Sequence, residues 1–64
     1  MKPNRKIREA LFFNEVYQWE LAKALGISES TLCRKLRNSI PEEEEKEMID
    51  AITYIAELHR RSNG

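Results

Sequence analysis

The stretch QWELAKALGISESTLCRKLR, residues 18–37, decides the fold of this chain. Its first part has an amphipathic helical pattern that stops at Gly26, where glycine can adopt the left-handed conformation that ends helices. A second helical pattern follows Ser28, whose hydroxyl is suited to accept a hydrogen bond from a free backbone N–H of the first turn. Two short helices joined by a tight turn that contains glycine predict a helix-turn-helix.

Length and composition limit the alternatives. The chain of 64 residues is 34% charged and 41% hydrophobic, which predicts a single small domain over residues 1–64 with a modest core. The only cysteine, Cys33, leaves no partner for an internal disulfide or a multi-cysteine zinc site, and it fits a reducing compartment. Because no apolar run is long enough to span a bilayer and no signal peptide is visible, we expect a soluble, cytoplasmic protein.

The zero net charge conceals a division between the two parts of the chain. Residues 1–40 carry eight Lys or Arg and four Glu, a balance of +4, whereas residues 41–64 carry three basic and seven acidic residues, a balance of −4. The first part is therefore suited to a polyanion and the second is not.

Hydrophobic spacing predicts an all-α, compact four-helix domain without a sheet. We expect helix 1 over about residues 4–13, with Asn4 as its N-cap, and helix 2 from residue 17 or 18 to 25. Helix 3 should follow Ser28 and bury Leu32 and Leu36. Helix 4 should span about 41–59, because Pro41 suits a first helical position and acidic and basic residues match its two dipole ends. Residues 62–64 are expected to fray.

Residues 7–38 resemble the Cro/repressor-like (Xre-type) helix-turn-helix family. The residues that carry the resemblance are Ile7-Arg-Glu-Ala10, Val16, Gln18, Leu21-Ala22, Leu25-Gly26-Ile27-Ser28, Ser30-Thr31-Leu32, Arg34 and Leu36. This resemblance implies a lambda-repressor-like fold and a protein that binds double-stranded DNA in a sequence-specific way. A small phage- or mobile-element-type transcriptional regulator, such as a repressor, is the function that it suggests.

The resemblance also implies which residues meet the bases. Glu29, Ser30 and Arg34 occupy its base-reading positions, and Cys33 is a further candidate on the same face of helix 3. Arg34 is suited to donate two hydrogen bonds to a guanine edge. Glu29 is suited to accept a hydrogen bond from a cytosine amino group, and Ser30 can contact either a donor or an acceptor. A structural interpretation stays open for each, since Glu29 also favours a helix N-terminus and Arg34 can simply be solvated.

Phosphate contacts add affinity rather than sequence information. Gln18 matches the phosphate-binding position of the family, and Thr31, Lys35, Arg37 and Asn38 are additional candidates on or beside helix 3.

Other functions find less support in the sequence. We expect no enzyme, cofactor, metal or small-molecule substrate, and we interpret His59 as a cation at the end of helix 4. The surplus of apolar residues on helix 4 leaves open a homodimer through that helix. Two alternatives to a regulator also stay open: a protein-interaction module that uses the acidic C-terminal helix, and an excisionase-like recombination accessory.

Overall fold

The computed structural model describes residues 4–63, and its architecture is all-α. The helices are α1 (Arg5–Phe13), α2 (Gln18–Leu25), α3 (Glu29–Arg37) and α4 (Glu42–Asn63). No strand occurs in residues 4–63, which confirms the predicted fold class. Helix α2 packs against α3 and α4, and α1 packs against α4, so that the long last helix supports the first two helices and α2 supports α3.

A single apolar core joins the four helices. Ile7, Leu21, Leu32 and Ile52 are completely buried, one from each helix, which shows that every helix turns one apolar face inward. The core residues are Ile7, Leu11, Val16, Leu21, Ala22, Leu32, Leu36, Met48, Ile52, Ile55 and Ala56. No polar or charged residue of the described chain is buried.

Gly26 ends α2 as the sequence predicts. Its φ is 73°, in the left-handed region, where glycine has no Cβ penalty. The N–H of Ile27 donates to the Ala22 carbonyl at 3.0 Å, and the N–H of Gly26 donates to that of Lys23 at 3.1 Å. These two bonds form a Schellman motif, which satisfies the last carbonyls of α2 and turns the chain toward α3.

Helix α1 also ends in a Schellman motif, but a glutamate rather than a glycine occupies its left-handed position. Val16 N–H donates to the Leu11 carbonyl at 2.9 Å and Glu15 N–H to that of Phe12 at 3.2 Å. Glu15 occupies the left-handed position, with φ 54°, although a side chain is disfavoured there. The burial of Leu11 and Val16 supplies the apolar contact that accompanies this motif.

Asn4 is the N-cap residue of α1, as the sequence predicts, but its side chain does not cap the helix. Asn4 precedes the helix in a left-handed conformation (φ 61°, ψ 40°), and its side chain forms no hydrogen bond with α1. The amide donates instead to the backbone carbonyls of Leu36 at 3.0 Å and Asn38 at 2.7 Å. Asn4 therefore ties the start of α1 to the end of α3, because the left-handed backbone directs its side chain away from its own helix.

Both predicted ends of α4 need correction. The helix begins at Glu42 rather than Pro41, and the Pro41 carbonyl accepts from the N–H of Glu45 at 2.9 Å, so Pro41 precedes the first turn. The helix also continues beyond His59 to Asn63, because residues 60–63 contain no glycine or proline to stop it. Ser62 lies within the helix, and its hydroxyl donates to the Leu58 carbonyl at 3.1 Å; Gly64 lies outside the described residues.

His59 has a partner across the fold, which the interpretation of it as a helix-end cation did not include. Its Nε2 lies 2.6 Å from Oε2 of Glu20 on α2. The other carboxylate oxygen, Oε1, accepts from the backbone N–H of Tyr17 at 3.0 Å and so caps the start of α2. Glu20 thus connects the start of α2 to the last part of α4.

Candidate nucleic-acid interface

Helix α3 is held at its first turn by Ser28 and along its length by two leucines. The Ser28 Oγ accepts from the N–H of Thr31 at 3.1 Å, which confirms the predicted N-cap, and it also lies 2.8 Å from the Thr31 hydroxyl. Leu32 and Leu36 are buried, four residues apart on one face. The opposite face of α3 therefore points to solvent in a fixed orientation.

That outer face carries all four candidate base-reading residues. Glu29, Ser30, Cys33, Arg34 and Arg37 line one shallow depression of about 340 Å³. Cys33 is half-buried and the other four residues are exposed. The structure thus brings together carboxylate, hydroxyl and guanidinium groups on the outer side of a short helix.

Gln18 on α2 lies beside this depression. Its Oε1 accepts a hydrogen bond from the Cys33 thiol at 3.3 Å. The bond uses the amide oxygen of Gln18, so the amide NH₂ is the part of that side chain that can donate to another group. The first residue of α2 and the middle of α3 therefore form one continuous surface.

Lys35 lies on a different side of α3. Its Nζ is 2.6 Å from Oε1 of Glu44, and about 40% of the Lys35 side chain and 33% of the Glu44 side chain are exposed. This pair connects α3 to the first turn of α4. The positive charge of Lys35 is thereby balanced by one of the four consecutive carboxylates of residues 42–45.

Thr31 and Asn38 also lie outside the depression of the base-reading residues. They line a second concavity, between α3 and the start of α4, together with Arg34, Lys35 and Glu44. The Asn38 side chain donates to the Arg34 carbonyl at 3.0 Å. Of the five candidate phosphate contacts, Arg37 lines the depression of the base-reading residues and Gln18 bonds to Cys33 beside it. The other three share the second concavity with Arg34.

Sequence reasoning missed two side chains that hold the end of α3, one from the residue before α1 and one from α1 itself. Besides the Asn4 amide, the Arg8 guanidinium donates to the Leu36 carbonyl, from Nη2 at 3.4 Å. These bonds satisfy carbonyl groups that have no partner inside a helix that ends at Arg37. The sequence signal was Asn4 itself, which indicated the N-cap of α1 but not the side-chain bonds to the end of α3.

Arg34 and Arg37 are the free cations of this surface. None of the side-chain ion pairs found in residues 4–63 includes either of them, whereas the Arg5 guanidinium is bound to Glu9 at 2.6 Å. Two unpaired guanidinium groups on one exposed helix face favour an anionic partner.

Comparisons of the chain with protein-family models, curated proteins and solved structures find no match. The residues that the structure describes contain no cluster of histidine, cysteine or carboxylate groups suited to hold a metal ion. None of the described helices has the length and apolar character that crossing a membrane requires.

Proposed function

We propose that this protein binds double-stranded DNA in a sequence-specific way, with α3 in the major groove, as a small regulator of transcription. The Cro/repressor-like family and its lambda-repressor-like arrangement of helices are part of this proposal. Base reading is assigned to Arg34, with Ser30, Glu29 and Cys33 beside it, and phosphate contact to Gln18 and Arg37.

The observation that carries the proposal is the two-sided character of α3. Leu32 and Leu36 hold one face in the core, while the opposite face presents Arg34, Arg37 and Ser30 together. A short helix with a fixed orientation and a donor-rich outer face has the properties of an element that reads base edges.

Charge at the start of α4 opposes binding to DNA, and the Lys35–Glu44 pair reduces this opposition. Four carboxylates follow one another at residues 42–45, and each repels phosphates within roughly 8–10 Å at physiological salt. Lys35 neutralises Glu44 beside α3. We therefore assign Lys35 to the support of the interface rather than to a direct contact with phosphate.

Selection of bound sequences from random duplex DNA tests the proposal. A preferred site should emerge, and its affinity should fall with salt at a log–log slope of about −0.9 per phosphate neutralised. The absence of enrichment, together with no binding at micromolar protein, contradicts the proposal. A measurement of DNA bending on the selected site then distinguishes a regulator from an excisionase-like accessory, which must deform its DNA.

A protein-interaction module is the second candidate, and one surface favours it. Leu25, Ile27 and Met48 line a concavity of about 440 Å³ whose other lining residues include Glu43 and Glu47. An apolar floor beside carboxylates suits a basic amphipathic peptide segment. This candidate replaces the first one if the selection yields no site.

A further inference from the structure

His59 extends the buried face of α4 toward the start of α2. Ile55 and Ala56, which are buried, precede it by four and three positions, so the three residues lie on one side of the helix. The imidazole reaches α2, where its Nε2 lies 2.6 Å from Oε2 of Glu20. The Glu20 side chain is 14% exposed and that of His59 41%. The contact between the two helices is therefore partly shielded from solvent.

The contact gives the second oxygen of the Glu20 carboxylate a partner. The first oxygen, Oε1, accepts from the backbone N–H of Tyr17 at 3.0 Å. An ionised carboxylate accepts hydrogen bonds but cannot donate them, so the Nε2 atom of His59 must carry the hydrogen of the other bond. Without the imidazole, Oε2 would have only water as a partner, and the Glu20 side chain would gain rotational freedom.

The turn that Glu20 caps carries a residue of the candidate DNA interface. Gln18 is the first residue of α2 and directly follows Tyr17, the N-cap. Its amide oxygen accepts the Cys33 thiol, and its amide NH₂ is the group that can donate to a phosphate. If the first turn of α2 were loose, this NH₂ would have to be ordered when DNA binds, which lowers affinity.

We propose that His59 is a positioning residue of the DNA interface: its bond to Glu20 holds the first turn of α2 and thereby orients Gln18 toward a phosphate. The inference rests on the proposed function. His59 acts through Glu20 and needs no contact with DNA of its own. Because phosphate contacts carry no sequence information, its loss should weaken binding to every duplex about equally.

Substitution of His59 tests this role by titration of the selected duplex and of a non-preferred duplex. His59→Ala should bind both about two- to tenfold more weakly, the range that corresponds to one hydrogen bond. His59→Gln should recover most of the affinity, because its amide NH₂ can donate to the same carboxylate oxygen. Without DNA, the Tyr17 amide of His59→Ala should exchange with water about two- to tenfold faster by NMR.

A double-mutant cycle separates positioning from a general loss of stability. In a Gln18→Ala background, His59→Ala should cause no further loss of affinity, because the group that it positions is gone. A merely structural effect would persist in that background. Circular dichroism and urea denaturation establish that each variant is folded under the conditions of the titration.

The control variant is Arg60→Ala, which removes an exposed charge from the residue next to His59 and should leave the affinity within about twofold of the parent. A folded His59→Ala protein that binds as the parent does would overturn the inference. So would a His59→Gln protein no better than His59→Ala, or an equal loss in the Gln18→Ala background. These results presuppose a parent that binds DNA, whereas a parent that binds no duplex contradicts the proposed function itself.

Discussion

Asn4 gives the sharpest test of how α3 is held, because its side chain and its backbone contribute to the stability of the fold in ways that two substitutions can separate. The amide donates to the Leu36 and Asn38 carbonyls, and each such bond contributes about 0.5–1.5 kcal/mol net. Asn4→Gly removes both bonds but keeps a residue that tolerates φ 61°. Because water replaces part of these contacts, we expect the free energy of unfolding to fall by about 1–2 kcal/mol.

Asn4→Ala should lower the free energy of unfolding by about 1 kcal/mol more than Asn4→Gly does, because alanine is strained in the left-handed region. Urea denaturation followed by circular dichroism measures both losses, and each kcal/mol should lower Tm by about 4–8 °C in a domain of this size. Amide hydrogen exchange in the last turn of α3 should accelerate in both variants, since its end is no longer tied to α1. An Asn4→Gly protein as stable as the parent, with unchanged exchange at Arg37 and Asn38, would refute this account of the α1–α3 connection.

Three further substitutions test other parts of the structure. Glu15→Gly should stabilise the fold by about 0.5–1 kcal/mol in thermal denaturation, because relief of the left-handed strain exceeds the added freedom of the unfolded chain; a loss of stability would contradict the φ of 54°. Ala22→Leu should cost about 1–3 kcal/mol by overfilling a position that is only 2% exposed, and an equally stable variant would show that α2 and α3 do not pack closely there. Lys35→Ala should change stability by only about 0–1 kcal/mol. It should weaken binding to all duplexes about equally, because Glu44 loses its partner. A loss of affinity that depends on one base pair would instead make Lys35 a base contact.

Local signals were sufficient to predict much of the fold. Gly26 and Ser28 act on backbone groups within five residues of themselves, so the turn and the start of α3 follow from the residues alone. Leu32 and Leu36 are buried as their spacing predicts. The exposed face of α3 follows from the same periodicity, which is why its candidate residues lie together.

Contacts between distant residues could not be predicted in the same way. The Asn4 amide reaches a carbonyl 34 positions away, and His59 lies against Glu20 at a separation of 39 positions. The pairing of Lys35 with Glu44, nine positions apart, could not be predicted either. No periodic pattern encodes such pairs, because they depend on how the helices are packed. The extension of α4 to Asn63 is different, since it follows from the absence of a local stop signal.

The effect of Arg34→Ala on binding to the selected duplex and to its single-base variants tests the central claim most directly. Lys46→Ala, which removes an exposed charge from α4, serves as the control. If Arg34 reads a guanine edge, its substitution should cost about 1–3 kcal/mol on the preferred site and abolish discrimination at one base pair. Lys46→Ala should change neither the preference nor the order of the duplexes. An Arg34→Ala protein that loses affinity equally for every duplex, and keeps the full preference at every position, would contradict base reading by α3.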